Sequence, residues 1–178
     1  GAYNYDSVKP TLSIAKDNDA DWVNKDVKIT ASPSDDGSKI AAVKYTVTDE
    51  KDKPLLEETT VNPNADGSYL ITLQASEFAN KEIKVNVTAY DNAGLKSDTQ
   101  TQIIKFDTAL PNAELSLNSN EGKYYFTDKI SVGISATDNF SGIAGIKAVY
   151  LTDDVTSASG WHFNNIDWDA EIVKNLKA

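Results

Sequence analysis

Aspartates are the residues whose type and spacing come closest to a binding chemistry in this sequence. The stretch "DNDADW" places Asp17, Asp19 and Asp21 at the first, third and fifth positions of an EF-type calcium loop. The sixth position of such a loop is Gly and the twelfth is Glu, whereas here they are Trp22 and Lys28. "NPNADG" has the glycine at its sixth position but a leucine at its twelfth. We therefore reject both as EF-type loops and interpret them as solvated turns.

Catalytic chemistry has few candidates in this chain. The chain contains a single histidine, His162, and no cysteine. A Cys–His pair is therefore excluded, and a zinc site would lack nitrogen and sulfur ligands. The sequence contains neither a nucleophile-elbow pattern nor a Gly-rich phosphate loop. We predict that this piece is not an enzyme, since a catalytic fragment would need His162 in a cleft beside a carboxylate.

Aromatic residues offer a second binding chemistry, stacking on the faces of sugar rings. "WHFNNIDW" contains Trp161, Phe163 and Trp168, and "KYYF" contains three further aromatic residues. The competing interpretation is packing, because most aromatic side chains in a sandwich are buried. Alternation within "WHFN" places Trp161 and Phe163 on one face, as expected of a buried face. Carbohydrate binding through these three residues stays open as an alternative function.

The overall charge limits the partners of the chain. Its 178 residues carry 27 acids against 17 bases, for a formal net charge of −10. Such a surface repels nucleic-acid phosphates and anionic lipids, so we predict no nucleic-acid partner. No apolar run reaches about 18 residues, so we also predict no membrane insertion. An acidic surface suits divalent cations, and it equally keeps a protein soluble.

The absence of cysteine and methionine bears on the origin of the chain. A secreted eukaryotic immunoglobulin-like domain usually carries an inter-sheet disulfide. Its absence permits either the cytosol or a bacterial surface. The chain begins Gly-Ala without a methionine, which indicates a piece excised from something longer.

Strand periodicity dominates the elements that must position these residues. In "EIKVNVTAY", apolar residues alternate with polar ones, which predicts a half-buried strand. "ASEFANKE" is predicted as one helical turn with Phe78 as its apolar anchor. Seven short strands in about 100 residues, with turns between them, indicate an immunoglobulin-like sandwich. The predicted strands are 8–14, 25–32, 40–49, 55–61, 68–73, 82–90 and 97–106.

An internal repeat predicts two modules. "YDSVKP" matches "FDTALP" at an offset of 101 residues, and "PSDDGSKIAAVK" matches "ATDNFSGIAGIK" at an offset of 103. We predict an all-β chain of tandem immunoglobulin-like β-sandwiches. The first, residues 6–106, has seven strands. The second, residues 107–178, is a related module that lacks its last two strands.

The turn sequences resemble the bacterial immunoglobulin-like repeats of Gram-positive-type cell-surface and secreted proteins. In that family a module ends in an "A-x-D-N-A-G-x-x-S" hairpin and the next begins with "D-x-x-x-P". The matching residues are Ala89, Asp91, Asn92, Ala93, Gly94 and Ser97 for the hairpin, and Asp107 and Pro111 for the start. The resemblance covers most of residues 6–150. It implies an extracellular spacer, stalk or adhesion module, and some family members accompany glycan-degrading enzymes.

The same topology predicts a calcium site. In an immunoglobulin-like sandwich, the start of the first strand, the loop after the second and the loop after the sixth cluster at one pole. The acidic candidates there are Asp6, Asp35, Asp36 and Asp91 in the first module, and Asp107, Asp138 and Asn139 in the second. The opposite pole of the first module holds Asp17, Asp19 and Asp21, which we expect to face the second module. Oxygen ligands from both modules would hold Ca²⁺ and stiffen the joint. The alternative is that these acids only cap turns.

Together, these observations predict a non-enzymatic structural or adhesion module, a spacer or stalk, of a bacterial surface or secreted protein. Its expected location is extracellular, and its expected partners are neighbouring immunoglobulin-like modules of the same chain and a host protein or glycan. The alternative is a carbohydrate-binding or accessory module of a glycan-degrading enzyme.

Overall fold

All regular secondary structure in the described residues is β-strand. The computed structural model describes residues 5–117 and 132–147, and the chain divides into two compact units, Gly1–Ala109 and Leu110–Ala178. The predicted all-β class is therefore confirmed for these residues. The strands of the first unit are β1 (Thr11–Lys16), β2 (Trp22–Val23), β3 (Val27–Ser34), β4 (Ile40–Asp49), β5 (Pro54–Val61), β6 (Tyr69–Leu73), β7 (Glu82–Asp91) and β8 (Gln100–Phe106), and those of the second are β9 (Asn112–Leu117) and β10 (Val132–Thr137).

The first unit is sandwich-like, with two sheets that share one core. One sheet has the order β1-β3-β6 and the other has the order β2-β8-β7-β4-β5. Neighbouring strands are antiparallel except for β2 and β8, which pair in parallel. Buried side chains from both sheets form a single apolar cluster. Burial of this cluster is the main favourable contribution to the fold of the unit.

Strict alternation in β7 explains how the core is built. Ile83, Val85, Val87 and Ala89 are fully buried, while the residues between them are partly exposed. β-Branched side chains at period two suit a strand with one face on a core. Within the same core, the ring of Phe106 stacks on that of Phe78 with 6.2 Å between the ring centroids.

Two local features differ from the sequence prediction. The first unit has an additional strand, β2, whose two residues are too few to produce an alternation. The predicted helical turn in "ASEFANKE" is a set of turns, with one bond from Glu77 N to the carbonyl oxygen of Gln74. Asn80 has φ = 57°, so the backbone cannot continue as a right-handed helix there. Phe78 is buried as predicted for an apolar anchor.

The chain enters and leaves the first unit at opposite ends. Before β1, Asp6 accepts a hydrogen bond from Ser38 N, in the loop between β3 and β4. After β8, Asp107 N donates to the carbonyl oxygen of Val23, and Thr108 N donates to Asn80 Oδ1. β7 runs between these two ends and has 10 residues, so they are separated by about 30 Å.

The two ends share one local conformation. Asp6 Oδ1 accepts a hydrogen bond from Val8 N at 3.0 Å, and Asp107 Oδ1 accepts one from Ala109 N at 3.0 Å. Both are turns in which an aspartate side chain bonds the backbone two residues ahead. The residue that opens the unit and the residue that follows its last strand are therefore equivalent in local structure.

In the second unit, the strand pair β9–β10 has the register of β1–β3. Thr11 pairs with Ser34 in the first unit, and Asn112 pairs with Thr137 in the second. All six pairs of β9–β10 coincide with those of β1–β3 at the offsets of the sequence repeat. The predicted absence of two strands from the second module concerns positions outside the described residues. The boundary between the modules was predicted between residues 106 and 107, and the two units divide three residues later, between Ala109 and Leu110.

Candidate metal centre

Three carboxylates meet at the end of the first unit where the chain enters. Asp6, Asp35 and Asp91 each place one carboxylate oxygen within 4.8 Å of the others. Asp6 lies before β1, Asp35 lies in the loop after β3, and Asp91 ends β7. These are three of the acidic residues that the sequence assigned to one pole.

Asp91 occupies a core-facing position. It follows Ala89 in the inward phase of β7, and only 3% of it is exposed. Its Oδ1 atom accepts a hydrogen bond from Leu95 N at 2.8 Å. Its Oδ2 atom is buried, and no donor among the described residues bonds to it. A buried acceptor without a partner is uncommon in folded proteins and calls for an explanation.

Backbone amides hold the carboxylate of Asp6. Val8 N donates to Oδ1 at 3.0 Å, and Ser38 N donates to Oδ2 at 2.7 Å. The bond from Val8 N is the larger cause, and that from Ser38 the second, of a pKa for Asp6 below the ordinary 3.8. Gly37 leaves space for this carboxylate, because a Cβ at that position would lie 2.6 Å from Asp6 Cγ.

Asp35 is held by the loop to which it belongs. Lys39 N donates to Asp35 Oδ2 at 2.7 Å. The loop is in turn fastened to the turn after β7, since Asn92 Nδ2 donates to the carbonyl oxygens of Ser38 at 2.8 Å and Lys39 at 3.0 Å. Ala93 N also donates to Ser38 Oγ at 3.0 Å. These contacts hold the loop after β3 against the turn after β7. They therefore fix the carboxylates of Asp35 and Asp91 relative to each other.

The site has a concentrated negative charge. None of the ion pairs within the described residues involves Asp6, Asp35 or Asp91. Lys39 Nζ, on the same loop, donates instead to the backbone oxygen of Asp36. Like charges at this separation repel, and a cation between them would reverse that interaction. Carboxylate oxygens are hard ligands, so Asp6, Asp35 and Asp91 could hold Ca²⁺ or Mg²⁺.

The other predicted acids lie outside this group of three. Asp36 is exposed beside it. Asp107 lies at the end of β8 and is 7% exposed. In the second unit, Asp138 Oδ1 accepts hydrogen bonds from Phe140 N and Gly142 N, both at 3.0 Å, and Asn139 is exposed. Asp138 therefore stabilises its own loop, as Asp35 does.

The acids of "DNDADW" lie at the opposite end of the first unit from Asp6. Asp17, Asp19 and Asp21 are exposed. Asp17 Oδ1 accepts from the neighbouring Asn18 amide, and Asp21 forms an ion pair with Lys105 at 3.1 Å. Their contacts are those of a solvated turn.

Sequence reasoning missed the groups that hold the carboxylates in place, which are mostly backbone amides of Val8, Ser38 and Lys39 and the side chain of Asn92. A backbone donor cannot be recognised from the type of residue that carries it. One usable signal was present: Asp91 continues the inward alternation of β7, and an acid at such a position is unusual. His162 and the aromatic candidates Trp161, Phe163 and Trp168 lie outside the described residues.

A shallow depression lies on the outer face of the five-stranded sheet. It is lined by Lys44, Tyr45, Thr46, Glu58, Asn86, Thr88 and Thr99. Lys44 Nζ bonds Glu58 Oε1 at 2.6 Å and lies over the ring of Tyr90. Because the charges of the depression already neutralise each other, it offers less to a ligand than the three carboxylates do.

Comparison with known protein families finds no match for this chain, and a search of curated proteins finds none either. Within residues 5–117 and 132–147, no helix is long and apolar enough to cross a membrane.

Proposed function

We propose that this chain is a non-enzymatic spacer or adhesion segment of a bacterial surface or secreted protein, built from tandem immunoglobulin-like modules. The observation that carries the proposal is the path of the chain, which enters the first unit beside Ser38 and leaves it beside Val23, at the other end. A module with this path passes tension along its strands.

The strand order of the first unit supports the immunoglobulin-like assignment. In the strand lettering of the immunoglobulin fold, the β1-β3-β6 sheet corresponds to strands A, B and E. In the other sheet, β8, β7 and β4 correspond to strands G, F and C, and β5 lies beside strand C. Cohesion without any cysteine rests on the apolar cluster between the sheets. A fold that needs no disulfide is compatible with the bacterial surface proposed here.

The connection after β8 supports a spacer with restrained joints. Asn80 Oδ1 accepts hydrogen bonds from the backbone amides of Thr108 and Ala109 at 2.9 and 3.1 Å. Pro111 follows, which fixes φ and restricts the residue before it to extended conformations. The backbone up to Ala109 is therefore held to the first unit, and Pro111 restricts the conformation of Leu110.

Single-molecule stretching tests the proposal. Because the chain has no cysteine, Tyr5→Cys and Ala109→Cys give unique attachment points at the ends of the first unit. We expect one cooperative rupture, followed by a contour-length gain of about 320 Å, since about 100 extended residues span about 350 Å and the folded ends are already about 30 Å apart. The strands run along the pulling direction, so their hydrogen bonds share the load.

The comparison is the same chain attached through Asp36→Cys and Asp98→Cys, two exposed sites near one end of the sandwich. Here the force peels strands instead of shearing them, so rupture requires less force. Equal rupture forces in both geometries, or extension without a force peak, would contradict a spacer that bears tension.

A further inference from the structure

The three-carboxylate cluster has the dimensions of a calcium site. Ca²⁺ binds oxygen at 2.3–2.6 Å, so two ligands of one ion lie at most about 5 Å apart. One carboxylate oxygen from each of Asp6, Asp35 and Asp91 lies within 4.8 Å of the other two, and one ion can therefore contact all three residues.

The unpartnered oxygen of Asp91 is a second and independent observation. The side chain is 3% exposed, and Oδ2 has no donor among the described residues. Burial of a carboxylate is costly unless it is paired or coordinates a metal ion. Asp6 and Asp35 add two negative charges nearby instead of a compensating positive one. A cation bound to this cluster would supply the partner that Asp91 lacks.

The ligands are held in place by bonds that leave them free to coordinate. Each of the three carboxylates accepts a backbone N–H, from Val8 and Ser38, from Lys39 and from Leu95 respectively. An ionised carboxylate has about four lone-pair sites, so these bonds do not exhaust its acceptor capacity. Such outer contacts orient the first ligands of metal sites. The remaining coordination positions are open to backbone carbonyls and water, as is usual for Ca²⁺.

We propose that Asp6, Asp35 and Asp91 form a calcium site that ties the incoming segment before β1 to the loop after β3 and to the end of β7. The oxygen-only ligand set favours Ca²⁺ or Mg²⁺ over zinc, which is bound mainly by nitrogen and sulfur ligands. Mg²⁺ is the weaker fit, because it keeps several waters and seldom uses a protein cage of three carboxylates. The site does not depend on the spacer role, because it requires only the fold of the first unit.

Calorimetric titration of the full chain with CaCl₂ measures calcium binding, and thermal unfolding measures its effect on stability. We expect one Ca²⁺ per chain, and an unfolding midpoint that rises with CaCl₂ and returns with excess EDTA. MgCl₂ at equal concentration should give a clearly smaller rise, and NaCl at equal ionic strength should give none. No binding heat and no rise at millimolar CaCl₂ would overturn the proposal, and an equal response to MgCl₂ would overturn the calcium assignment.

Three variants locate the site. Asp35→Asn removes one ligand and should weaken calcium binding at least tenfold. Asp36→Asn is the matched control, because it removes the same charge from the neighbouring residue outside the cluster, and its affinity should stay within about twofold of the parent. Gly37→Ala retains all three carboxylates but displaces that of Asp6, and should weaken binding by about tenfold or more.

Circular dichroism in EDTA verifies that each variant is folded. If Asp35→Asn does not fold, Gly37→Ala and Asp36→Asn decide the question on their own. Equal affinities for Gly37→Ala and Asp36→Asn would place the bound ion elsewhere and would overturn the assignment.

Discussion

Lys39 holds a backbone conformation that its side chain disfavours. Its φ is 71°, in the left-handed region, and Gly142, at the repeat offset of 103, has φ = 78°. We predict that Lys39→Gly is at least as stable as the parent, because glycine removes the steric cost while keeping the N–H bonded to Asp35. Lys39→Val should lose about 1–2 kcal/mol, since β-branched residues are genuine outliers at positive φ. Urea denaturation of both variants measures the difference.

Lys28 provides the control for this prediction. It is exposed within β3, where a valine suits the backbone, so Lys28→Val should change stability by less than about 0.5 kcal/mol. If Lys39→Val proved as harmless as Lys28→Val, the strain attributed to position 39 would be absent.

At this scale, part of the candidate site could be anticipated from the sequence. Asp6, Asp35 and Asp91 were predicted to lie at one pole, because the topology of the sandwich brings together the start of the first strand and the loops after β3 and β7. The bond from Ser38 N to Asp6 could not be anticipated, because every residue except proline has a backbone N–H. Which acids share a site depends on such bonds, and therefore Asp36 could not be separated from Asp35 by sequence alone.

At the scale of elements, Ser97 completes the pairing between β7 and the segment that leads into β8. Its side chain is 5% exposed, Ala89 N donates to its Oγ at 3.0 Å, and the hydroxyl donates to the carbonyl oxygen of Asp98. We predict that Ser97→Ala costs about 1–3 kcal/mol, because it leaves the buried Ala89 N–H without its acceptor. Chemical denaturation monitored by tryptophan fluorescence measures the loss.

Ser13 is the matched control for Ser97. Its hydroxyl bonds the carbonyl oxygen of Ser32 at 3.4 Å in an exposed position, where water can replace it. Ser13→Ala should therefore cost less than about 0.5 kcal/mol. A cost for Ser97→Ala as small as that for Ser13→Ala would mean that the hydroxyl is dispensable.

Strand boundaries show why elements were more predictable than sites. β4 was predicted as 40–49 and is Ile40–Asp49, because Val43, Tyr45 and Val47 alternate with polar residues and turn sequences bound the strand on both sides. The last strand of the first unit was predicted as 97–106 but begins at Gln100. Before Gln100, an isolated bridge between Tyr90 and Lys96 and the bonds between Ser97 and Ala89 join this segment to β7 without a continuous ladder. β2 has only two residues, and its pairing with β8 follows from tertiary structure.

At the scale of the whole molecule, hydrogen-bonded aspartates set the response to acid. Bonds from Val8 N to Asp6, from Lys53 N to Asp49 and from the Ser68 hydroxyl to Asp66 are the largest causes of a lowered pKa in each aspartate, against an ordinary value of 3.8. Each carboxylate binds its proton less readily in the folded state. Its contribution to stability is therefore complete above the unfolded pKa and is lost as pH falls through the folded one.

We predict a urea midpoint without a decrease from pH 7 to about 5 and a decline below about pH 4. Equilibrium denaturation across this range, in EDTA, measures it. Asp66→Asn should reduce the steepness of the decline, whereas Asp98→Asn, at an exposed side chain in an ion pair with Lys9, should reduce it less. A midpoint that stays constant to pH 2 would contradict the role of these bonds.

The equivalence of Asp6 and Asp107 bears on how such a chain can lengthen over evolution. The segment from Asp6 to Phe106 begins with an aspartate whose side chain bonds the backbone two residues ahead. Asp107, which directly follows the segment, does the same. An in-frame tandem duplication of the DNA encoding this segment would recreate both junctions, including the bond from Asp107 N to Val23. Such a duplication would place an aspartate of the same local structure at each junction.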